Sequence, residues 1–523
     1  MIYSERKYYI SVFIIFFIAF FLRLLFNSGF GYGDDYEYVT TAYDVFVMAK
    51  QPSNIAALRM GMVFIAGLIL ILFGVKFYLF TYFMIVLSII NLFLLYKIAS
   101  VYFNKIIGLS SILLFTFLPI ELLFSTRYLP DPIIMFFFQL SLLFYLSYLK
   151  SENSKHNFTK LFLVGFFIGL SYSIKEISLL FIIPIFLCQF LNKKGILSYI
   201  YIISGILLIL LLEFFYSYMV WGNALSRYLL QVDLIQPQSD ITSKSDMIER
   251  FFIQYPLMLL HPLQRSGNYF GYYYIVFFLL LFIGFKDYVI KKNSLTLFII
   301  SVFGFLFVIN FAIISFNPLI PMLRPQSRYL IPINSCLCII ISKILYDKFY
   351  LNSRVVYYVI LFFLVISSLF QFGIILNSSS PTTFNKIYYY QQEATNFITN
   401  NNLVQKSNKL YCTHDMRNYL NLSTEFKFTD KILSVDSLTL NILSENVLFV
   451  INTHLLEESL SDINKLRFLS NLINSNNDLV NVIFVSSKSY NLFSSLIKGL
   501  EINFGFKYFK SYISPSIIIF SIK

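Results

Sequence analysis

Residues 8–26 read YYISVFIIFFIAFFLRLLF, and residues 31–38 read GYGDDYEY. At a rise of 1.5 Å per residue, a helix over the first stretch is about 28 Å long, close to the thickness of a bilayer's hydrocarbon core. Two adjacent carboxylates, Asp34 and Asp35, follow where the chain leaves the membrane. Charged side chains there are costly, so they indicate a working site or a cation partner. The alternative is a solvated loop, in which Asp and Gly are common turn residues.

The composition indicates a membrane protein with many crossings. Of the 523 residues, 58% are hydrophobic and 13% are charged, and the mean hydropathy is +0.71. A soluble protein carries about 25% charged residues. The net charge of +13 comes mainly from Lys and Arg in short loops between apolar runs. This pattern orients membrane proteins, so we predict a lipid bilayer and no nucleic acid as partner.

The cysteines and histidines indicate neither a disulfide-stabilised fold nor a zinc site. Of four Cys, Cys188, Cys336 and Cys338 lie in apolar runs and only Cys412 lies in the polar tail, so no disulfide framework is predicted. The four His have no ligand-like spacing. The first apolar run is too long for a signal-peptide core and lacks a small-residue cleavage site, so we predict a retained first helix.

Charge predicts the topology of the apolar runs. The runs are 8–26, 59–73, 77–98, 106–124, 132–148, 161–174, 177–191, 196–219, 270–285, 295–315, 328–346 and 354–376. The basic loop 150–160 should be cytoplasmic, as should Arg6, Lys193, Lys286, Lys343 and their basic neighbours. Alternation then places outside the first loop 27–58, the stretch 125–131, the long loop 220–269, the turn 316–327 and everything after residue 376.

One apolar run must fail to cross. Three runs separate the outside segments 27–58 and 125–131, although an even number of crossings is required. The run 59–73 is short for a bilayer and is the favoured exception. We therefore predict about eleven transmembrane helices in residues 1–376.

The chain changes character near residue 377. Short β-like strings at 409–413, 446–451, 480–485 and 516–520 alternate there with helix-like stretches at 388–402, 455–473 and 489–499. We predict that residues 377–523 form a small extracytoplasmic α/β domain.

The predicted topology gathers unusual polar residues on the outer side of a plasma or inner membrane. They are Asp34, Asp35, Glu37, Tyr38, Arg59, Arg127, Asp131, Lys175, Glu176, Arg265, Arg328 and Tyr329. Short outside loops are normally depleted of Arg and Lys, so this set needs a reason. An anionic ligand such as a lipid phosphate is one reason, because Arg binds phosphate through a planar fork and Lys as a point charge. The carboxylates suit general-base work on an acceptor hydroxyl or amine.

Local ion pairs are the structural alternative. Arg127 and Asp131 could form an i,i+4 pair on one helix, and Lys175 could be neutralised by Glu176.

At these residues the chain resembles the GT-C fold membrane glycosyltransferases, specifically the protein O-mannosyltransferase and lipid A aminoarabinose transferase group. The resemblance covers about residues 1–380 and has five ordered parts. They are the acidic motif at 34–38, Arg59 opening a run that ends Leu-Phe-Gly at 72–74, the string RYLPDP at 127–132, GLSYSIKE at 169–176, and RYLIP at 328–332.

The resemblance implies an inverting transfer from a polyprenyl-phosphate sugar to an extracytoplasmic lipid, glycan or protein in the cell envelope. The transferred group would be a hexose or a pentose. It implies a first-loop Asp as catalytic base, Asp34 by position, with Asp131 orienting the acceptor or the site. Arg59, Lys175 and Arg328, with Tyr329, would hold the lipid phosphate.

The chain also departs from the family pattern. The acidic pair is Asp-Asp rather than Asp-Glu, which leaves the choice of base between Asp34 and Asp35 open. Arg59-Met60-Gly61 replaces the usual His-Pro-Pro or Lys-Pro, and the Trp-Trp-Asp string of oligosaccharyltransferases is missing, so that class is not predicted.

Other readings stay open at this point. No cofactor is required if Arg and Lys carry the charge, but Asp34 and Asp35 could bind Mg²⁺ or Mn²⁺. A transporter or flippase of lipid-linked sugars should show inverted repeats and broken mid-membrane helices, and the sequence shows neither. A non-catalytic assembly subunit is the third hypothesis.

Overall fold

The protein is a multi-pass helical membrane protein. The computed structural model describes residues 2–26, 34–49, 59–151, 157–226, 229, 249, 253, 255–260, 269–290, 295–311, 313–316, 319–321, 327–377, 394–413, 416–417, 420–421, 424, 427–435, 447–452, 480–487 and 515–522. Seven helices in this part of the chain are long and apolar enough to cross a membrane, and five shorter apolar helices of 10–17 residues accompany them. Together they account for the twelve predicted runs, while the count of eleven crossings stays a prediction.

The described helices are numbered in chain order. In chain order they are α1 (Ile2–Leu25), α2 (Asp34–Phe46), α3 (Met60–Phe73), α4 (Phe77–Tyr102), α5 (Lys105–Phe117), α6 (Pro119–Phe124), α7 (Pro130–Lys150), α8 (Asn157–Ile174), α9 (Ile182–Leu191), α10 (Ile196–Trp221), α11 (Tyr255–Leu260), α12 (Tyr273–Ile283), α13 (Thr296–Phe311), α14 (Asn334–Leu345), α15 (Arg354–Asn377) and α16 (Leu403–Lys406).

Three predicted runs are interrupted. The run 106–124 divides at Leu118, because Pro119 has no N–H to continue α5 and instead begins α6. The run 177–191 begins with the 3₁₀ helix Glu176–Phe181, and the run 328–346 begins within the 3₁₀ helix Ser327–Ile333. The predicted run 295–315 is wrong at its end, because α13 stops at Phe311 and an antiparallel pair of strands, β1 (Ile313–Phe316) and β2 (Leu319–Pro321), follows.

Basic and aromatic residues gather at one end of the helical bundle, here called the basic end. The Tyr8 hydroxyl lies 2.7 Å from the Tyr96 hydroxyl and 3.0 Å from the Lys105 carbonyl oxygen. Lys150 donates to the Val101 carbonyl. Lys343, whose Nζ lies 5.7 Å from the Phe103 ring centroid, and Lys348 form ion pairs there with Asp347 and Asp287. Several residues predicted to be cytoplasmic therefore share one end of the bundle.

The two ends of α3 both lie at the opposite end of the bundle. Near its start, Met62 accepts a hydrogen bond from the Tyr128 hydroxyl at 2.6 Å. Three residues separate the end of α3 from the start of α4. Phe80 on α4 packs edge-on against the same Tyr128 ring, with 5.2 Å between the ring centroids. From there α4 runs to the basic end. This geometry supports the prediction that the run 59–73 does not cross.

Two glycines allow α8 and α10 to approach closely. A Cβ on Gly165 would lie 1.8 Å from the Ile202 carbonyl oxygen, and one on Gly205 would lie 2.2 Å from the Phe162 carbonyl oxygen. Small residues are the usual means of close helix packing in membranes. The contact fixes α8, which ends immediately before Lys175.

The C-terminal region contains a five-stranded sheet in the order β4-β3-β5-β7-β6. The strands are β3 (Lys409–Cys412), β4 (Ile432–Ser434), β5 (Val447–Asn452), β6 (Val480–Ser487) and β7 (Pro515–Ile522). Strand β3 pairs in parallel with β4 and β5, whereas β7 pairs antiparallel with β5 and β6. Four strands match the predicted strings, and β4 was not predicted. The stretches 455–473 and 489–499 lie outside the described residues, and the assignment of 377–523 as an extracytoplasmic domain stays a prediction.

Candidate active site

Helix α2 begins with the acidic motif. Asp34, Asp35 and Glu37 occupy its first turn, where the helix dipole favours negative charge. Successive helix residues point about 100° apart, so the two neighbouring aspartates face different surroundings. The Asp35 side chain is fully buried, while that of Asp34 is 41% exposed.

Asp35 is held by Arg127. Arg127 Nη2 donates to Asp35 Oδ1 at 2.6 Å and Nε donates to Oδ2 at 3.2 Å, a bidentate pair buried between α2 and the α6–α7 connection. Arg127 therefore pairs across the bundle. The i,i+4 alternative with Asp131 is wrong.

Asp34 faces Arg328, which lies on the 3₁₀ helix Ser327–Ile333. Arg328 Nη2 lies 3.1 Å from Asp34 Oδ2. Burial alone would raise the pKa of Asp34, but the charges of Arg328, Arg59 and Arg127 outweigh it and hold that pKa below its ordinary value. Asp34 is therefore a partly exposed carboxylate that stays ionised among cations.

Asp131 and Lys175 form a second buried pair. Lys175 Nζ donates to Asp131 Oδ1 at 2.8 Å and lies 4.0 Å from the centroid of the Tyr329 ring. Asp131 Oδ2 is buried and has no hydrogen-bond partner among the described residues. Burial lowers the pKa of Lys175 to about 8; Asp131 opposes this shift, and the nearby charges of Arg59 and Arg328 add to it. Lys175 pairs with Asp131, so the alternative of neutralisation by Glu176 is wrong.

Arg59 is the N-cap residue of α3. Its Nη1 donates to the Tyr38 hydroxyl, and its charge interacts with Glu176 and Asp34. Glu37 is exposed on the outer face of α2, and its pKa is raised by partial burial and by Asp34, against the effect of Arg59. These contacts bring a fourth cation to the same cluster, after Arg127, Arg328 and Lys175.

The structure thus brings together all the predicted site residues that it describes. Arg265 lies outside the described residues. We call the following set the site cluster: Asp34, Asp35, Arg59, Arg127, Asp131, Lys175, Arg328 and Tyr329. The catalytic and phosphate-binding roles of these residues stay predictions.

One contact to α2 was missed from the sequence. The side chains of Asn421 and Arg417 both lie close enough to the Tyr36 hydroxyl to influence its ionisation. Both partners belong to the segment after β3, so the C-terminal region reaches the helix that carries Asp34. No local pattern marks this contact, because it depends on how distant parts of the chain pack.

The acidic residues of the cluster do not fit a shared metal ion. Both oxygens of Asp35 accept from Arg127, whereas Asp34 faces Arg328. The described residues contain no group of three His, Cys, Asp or Glu side chains that could hold a metal. Metal dependence was left open by the sequence and stays untested.

The comparisons with known proteins agree on the architecture. A family model described as dolichyl-phosphate-mannose-protein mannosyltransferase matches residues 60–221. The crystal structure of ArnT from Cupriavidus metallidurans bound to undecaprenyl phosphate superposes with a TM-score of 0.53 at 11% identity, covering 98% of this chain and 97% of that chain. The chain has the fold of the GT-C membrane glycosyltransferases.

A second GT-C structure supports the same fold. The archaeal oligosaccharyltransferase AglB from Archaeoglobus fulgidus, in complex with an inhibitory peptide and a dolichol-phosphate, superposes with a TM-score of 0.54 at 10% identity, covering 99% of this chain and 89% of that chain. No curated protein sequence matches the chain. Within the GT-C fold, the site cluster lies at the end of the bundle opposite the basic end.

Proposed function

We propose that this protein is an inverting glycosyltransferase that moves a sugar from a polyprenyl-phosphate donor to an extracytoplasmic acceptor. One observation supports the proposal most strongly. The charges of Arg328, Arg59 and Arg127 act on the partly exposed carboxylate of Asp34. Lys175 in turn lies close enough to Arg59 and Arg328 for their charges to act on it.

The cations suit a phosphate leaving group. As the glycosidic bond breaks, negative charge develops on the lipid phosphate, and cations that are already in place stabilise it without reorganising. Arg328 and Lys175 share contact with the Tyr329 ring, at 5.6 Å and 4.0 Å. A bound phosphate would compete with Asp34 for Arg328, which would free the carboxylate as the donor arrives.

Asp34 suits the general base better than Asp35. A base must reach the proton that it removes, and both oxygens of Asp35 are already bound by Arg127 in a fully buried pair. In the proposed step Asp34 accepts the proton of the acceptor hydroxyl or amine as that group attacks the anomeric carbon. The carbon–oxygen bond to the phosphate breaks on the opposite face, and the lipid phosphate leaves with the electron pair.

Asp131 is assigned to positioning. Its Oδ1 holds Lys175, and its Oδ2 is a buried acceptor that an incoming hydroxyl could meet.

The assignment of the site to the outer side of the plasma or inner membrane is supported by the gathering of Lys150, Lys343 and Lys348 at the other end of the bundle. We also propose that residues 377–523 help to recognise the acceptor, and the proximity of Asn421 to Tyr36 on the helix that carries Asp34 supports this role.

The test uses purified protein in lipid nanodiscs, offered radiolabelled polyprenyl-phosphate hexoses and pentoses. We expect release of polyprenyl phosphate and a labelled acceptor, and Asp34→Asn should reduce turnover by roughly 10²–10⁴-fold while the protein still folds.

The matched control is Asp287→Asn. Asp287 is 44% exposed and lies 2.8 Å from Lys348, so it resembles Asp34 in exposure and pairing but lies at the basic end. Turnover should survive this change. Full turnover in the Asp34 variant would remove Asp34 as the base, and absence of transfer from every donor would contradict the proposal.

A further inference from the structure

A second polar group lies inside the helical bundle, away from the site cluster. We call it the inner cluster and define it as Arg23 on α1, Ser88 on α4, Glu121 on α6 and Asn334 on α14. Arg23 Nε donates to Ser88 Oγ at 2.5 Å, and Asn334 Nδ2 donates to Glu121 Oε1 at 2.6 Å. All four side chains are buried. Charges inside a membrane bundle are costly and are kept when they serve a purpose.

Three atoms of the inner cluster lack a protein partner among the described residues. They are Arg23 Nη2, Glu121 Oε2 and Asn334 Oδ1. The charges of Arg23 and Glu121 act on each other, yet no direct ion pair joins them in the described part of the chain. A water molecule within hydrogen-bond reach of all three atoms would satisfy them by donating to the two oxygens and accepting from Nη2. Buried waters typically make about three such bonds.

Two members of the inner cluster lie close in sequence to a residue of the site cluster. Glu121 precedes Arg127 by six residues, and Asn334 follows Arg328 by six residues. Helix α6 also packs against the 3₁₀ helix that carries Arg328. The hydrogen bond between Glu121 and Asn334 therefore ties the segment that presents Arg127 to the segment that presents Arg328.

We propose that Arg23, Glu121 and Asn334, bridged by one water molecule, position Arg127 and Arg328 against the two aspartates of α2. We call them positioning residues because they would act through the segments that carry Arg127 and Arg328. The catalytic consequence rests on the proposed function, whereas the structural consequence does not.

The first test measures backbone amide exchange in the full-length protein in nanodiscs. Asn334→Leu is nearly isosteric and removes the bond to Glu121 while keeping both buried charges. We expect exchange to become at least several-fold faster in both 119–131 and 327–333. The matched control is Gln139→Met on α7, which alters another buried amide that has no partner among the described residues. Equal exchange in the wild type and Asn334→Leu would overturn the proposal.

The second test is a double-mutant cycle on turnover. Asn334→Leu should lower kcat by roughly 10- to 100-fold, the scale of a small misplacement of a reacting group, with little change in the donor KM. In an Arg328→Ala background it should cause a clearly smaller loss than in the wild type, because one of the two groups that it positions is gone. Losses that multiply would show that Asn334 acts elsewhere and would overturn the proposal.

The two tests separate the failure of the inference from the failure of the proposed function. Faster exchange in a protein that transfers no sugar would contradict the proposed function and support the positioning cluster. The bridging water is tested by an electron-microscopy map that resolves ordered waters. A direct contact between Arg23 and Glu121 in place of that water would overturn this part of the proposal.

Discussion

The two ends of the helical bundle use charge in different ways. At the basic end, Lys343 pairs with Asp347 one helical turn away, and Lys348 pairs with Asp287 while both side chains remain partly exposed. At the site end, Asp35 pairs with Arg127 across 92 residues of chain and Asp131 pairs with Lys175 across 44, and both pairs are buried. Exposed local pairs are worth little, about 0–1 kcal/mol, while buried pairs carry a large desolvation cost. This contrast is what we expect if the site end keeps costly charges for the proposed chemistry.

The largest expected effect tests the buried pair of Asp35 and Arg127. Asp35→Asn leaves the Arg127 charge buried without its counter-ion, which should destabilise the protein by about 3–5 kcal/mol. The basic-end control, Asp287→Asn, removes the partly exposed partner of Lys348 and should cost about 0–1 kcal/mol. Unfolding in mixed micelles titrated with SDS measures both. Equal losses would remove the distinction between the two ends.

The next effect concerns Arg328. Arg328→Ala should lower kcat/KM for a polyprenyl-phosphate sugar by about 10²–10³-fold, because it removes a cation aimed at the developing charge. Lys348→Ala at the basic end removes a cation paired with a similar carboxylate and should leave kcat/KM within about twofold. Steady-state kinetics of both variants in nanodiscs measure kcat/KM. A loss of the same size in both variants would indicate a general effect of surface charge.

A smaller effect should appear in the pH dependence of donor binding. Lys175, whose pKa is lowered to about 8 by burial, loses its charge as the pH rises from 7 to 9. Around it stand Asp131, Arg59, Arg328 and the Tyr329 ring. Asp34, whose pKa lies below its ordinary value, stays ionised over this range. The donor KM should therefore rise by up to about tenfold between pH 7 and pH 9.

Lys175→Arg sharpens this prediction. An Arg side chain keeps its charge over the whole range, so the variant should show a flat donor KM from pH 7 to pH 9. A rise in KM that is unchanged in Lys175→Arg would assign the titration to another group.

The smallest expected effect concerns divalent metals. Because Asp34 and Asp35 are bound by different arginines, we expect EDTA followed by gel filtration to change turnover by less than about twofold. Added Mg²⁺ or Mn²⁺ should not raise it. A large loss restored by one of these ions would show that the carboxylates rearrange around a metal.

Much of the architecture could be predicted from the sequence, because hydrophobic runs and basic loops act locally. The apolar runs, the short run at 59–73 and four of the five C-terminal strands follow from such patterns. Strand β4 has only three residues, Ile432–Ser434, which is too short for a clear alternation. The stop of α13 at Phe311 was also missed, because the apolar sequence continues unchanged into β1.

The site residues could be predicted by type but their pairing could not. Local spacing offered the pairs Arg127 with Asp131 and Lys175 with Glu176 as alternatives to a working site, while the structure pairs Arg127 with Asp35 and Lys175 with Asp131. Such pairings depend on which helices pack side by side. Arg23 and Glu121 did carry a readable signal, since each is a lone charge inside an apolar run.

The close approach of α8 and α10 at Gly165 and Gly205 restricts which substitutions this protein can accept during evolution. Lys175 lies ten residues beyond Gly165, so a methyl group at either glycine would tilt α8 and swing its far end, with Lys175, away from Asp131. Two positions without any reactive group would then constrain the geometry of the Lys175–Asp131 pair. In a directed-evolution library, substitutions at these glycines should be purged as strictly as those at the charged residues.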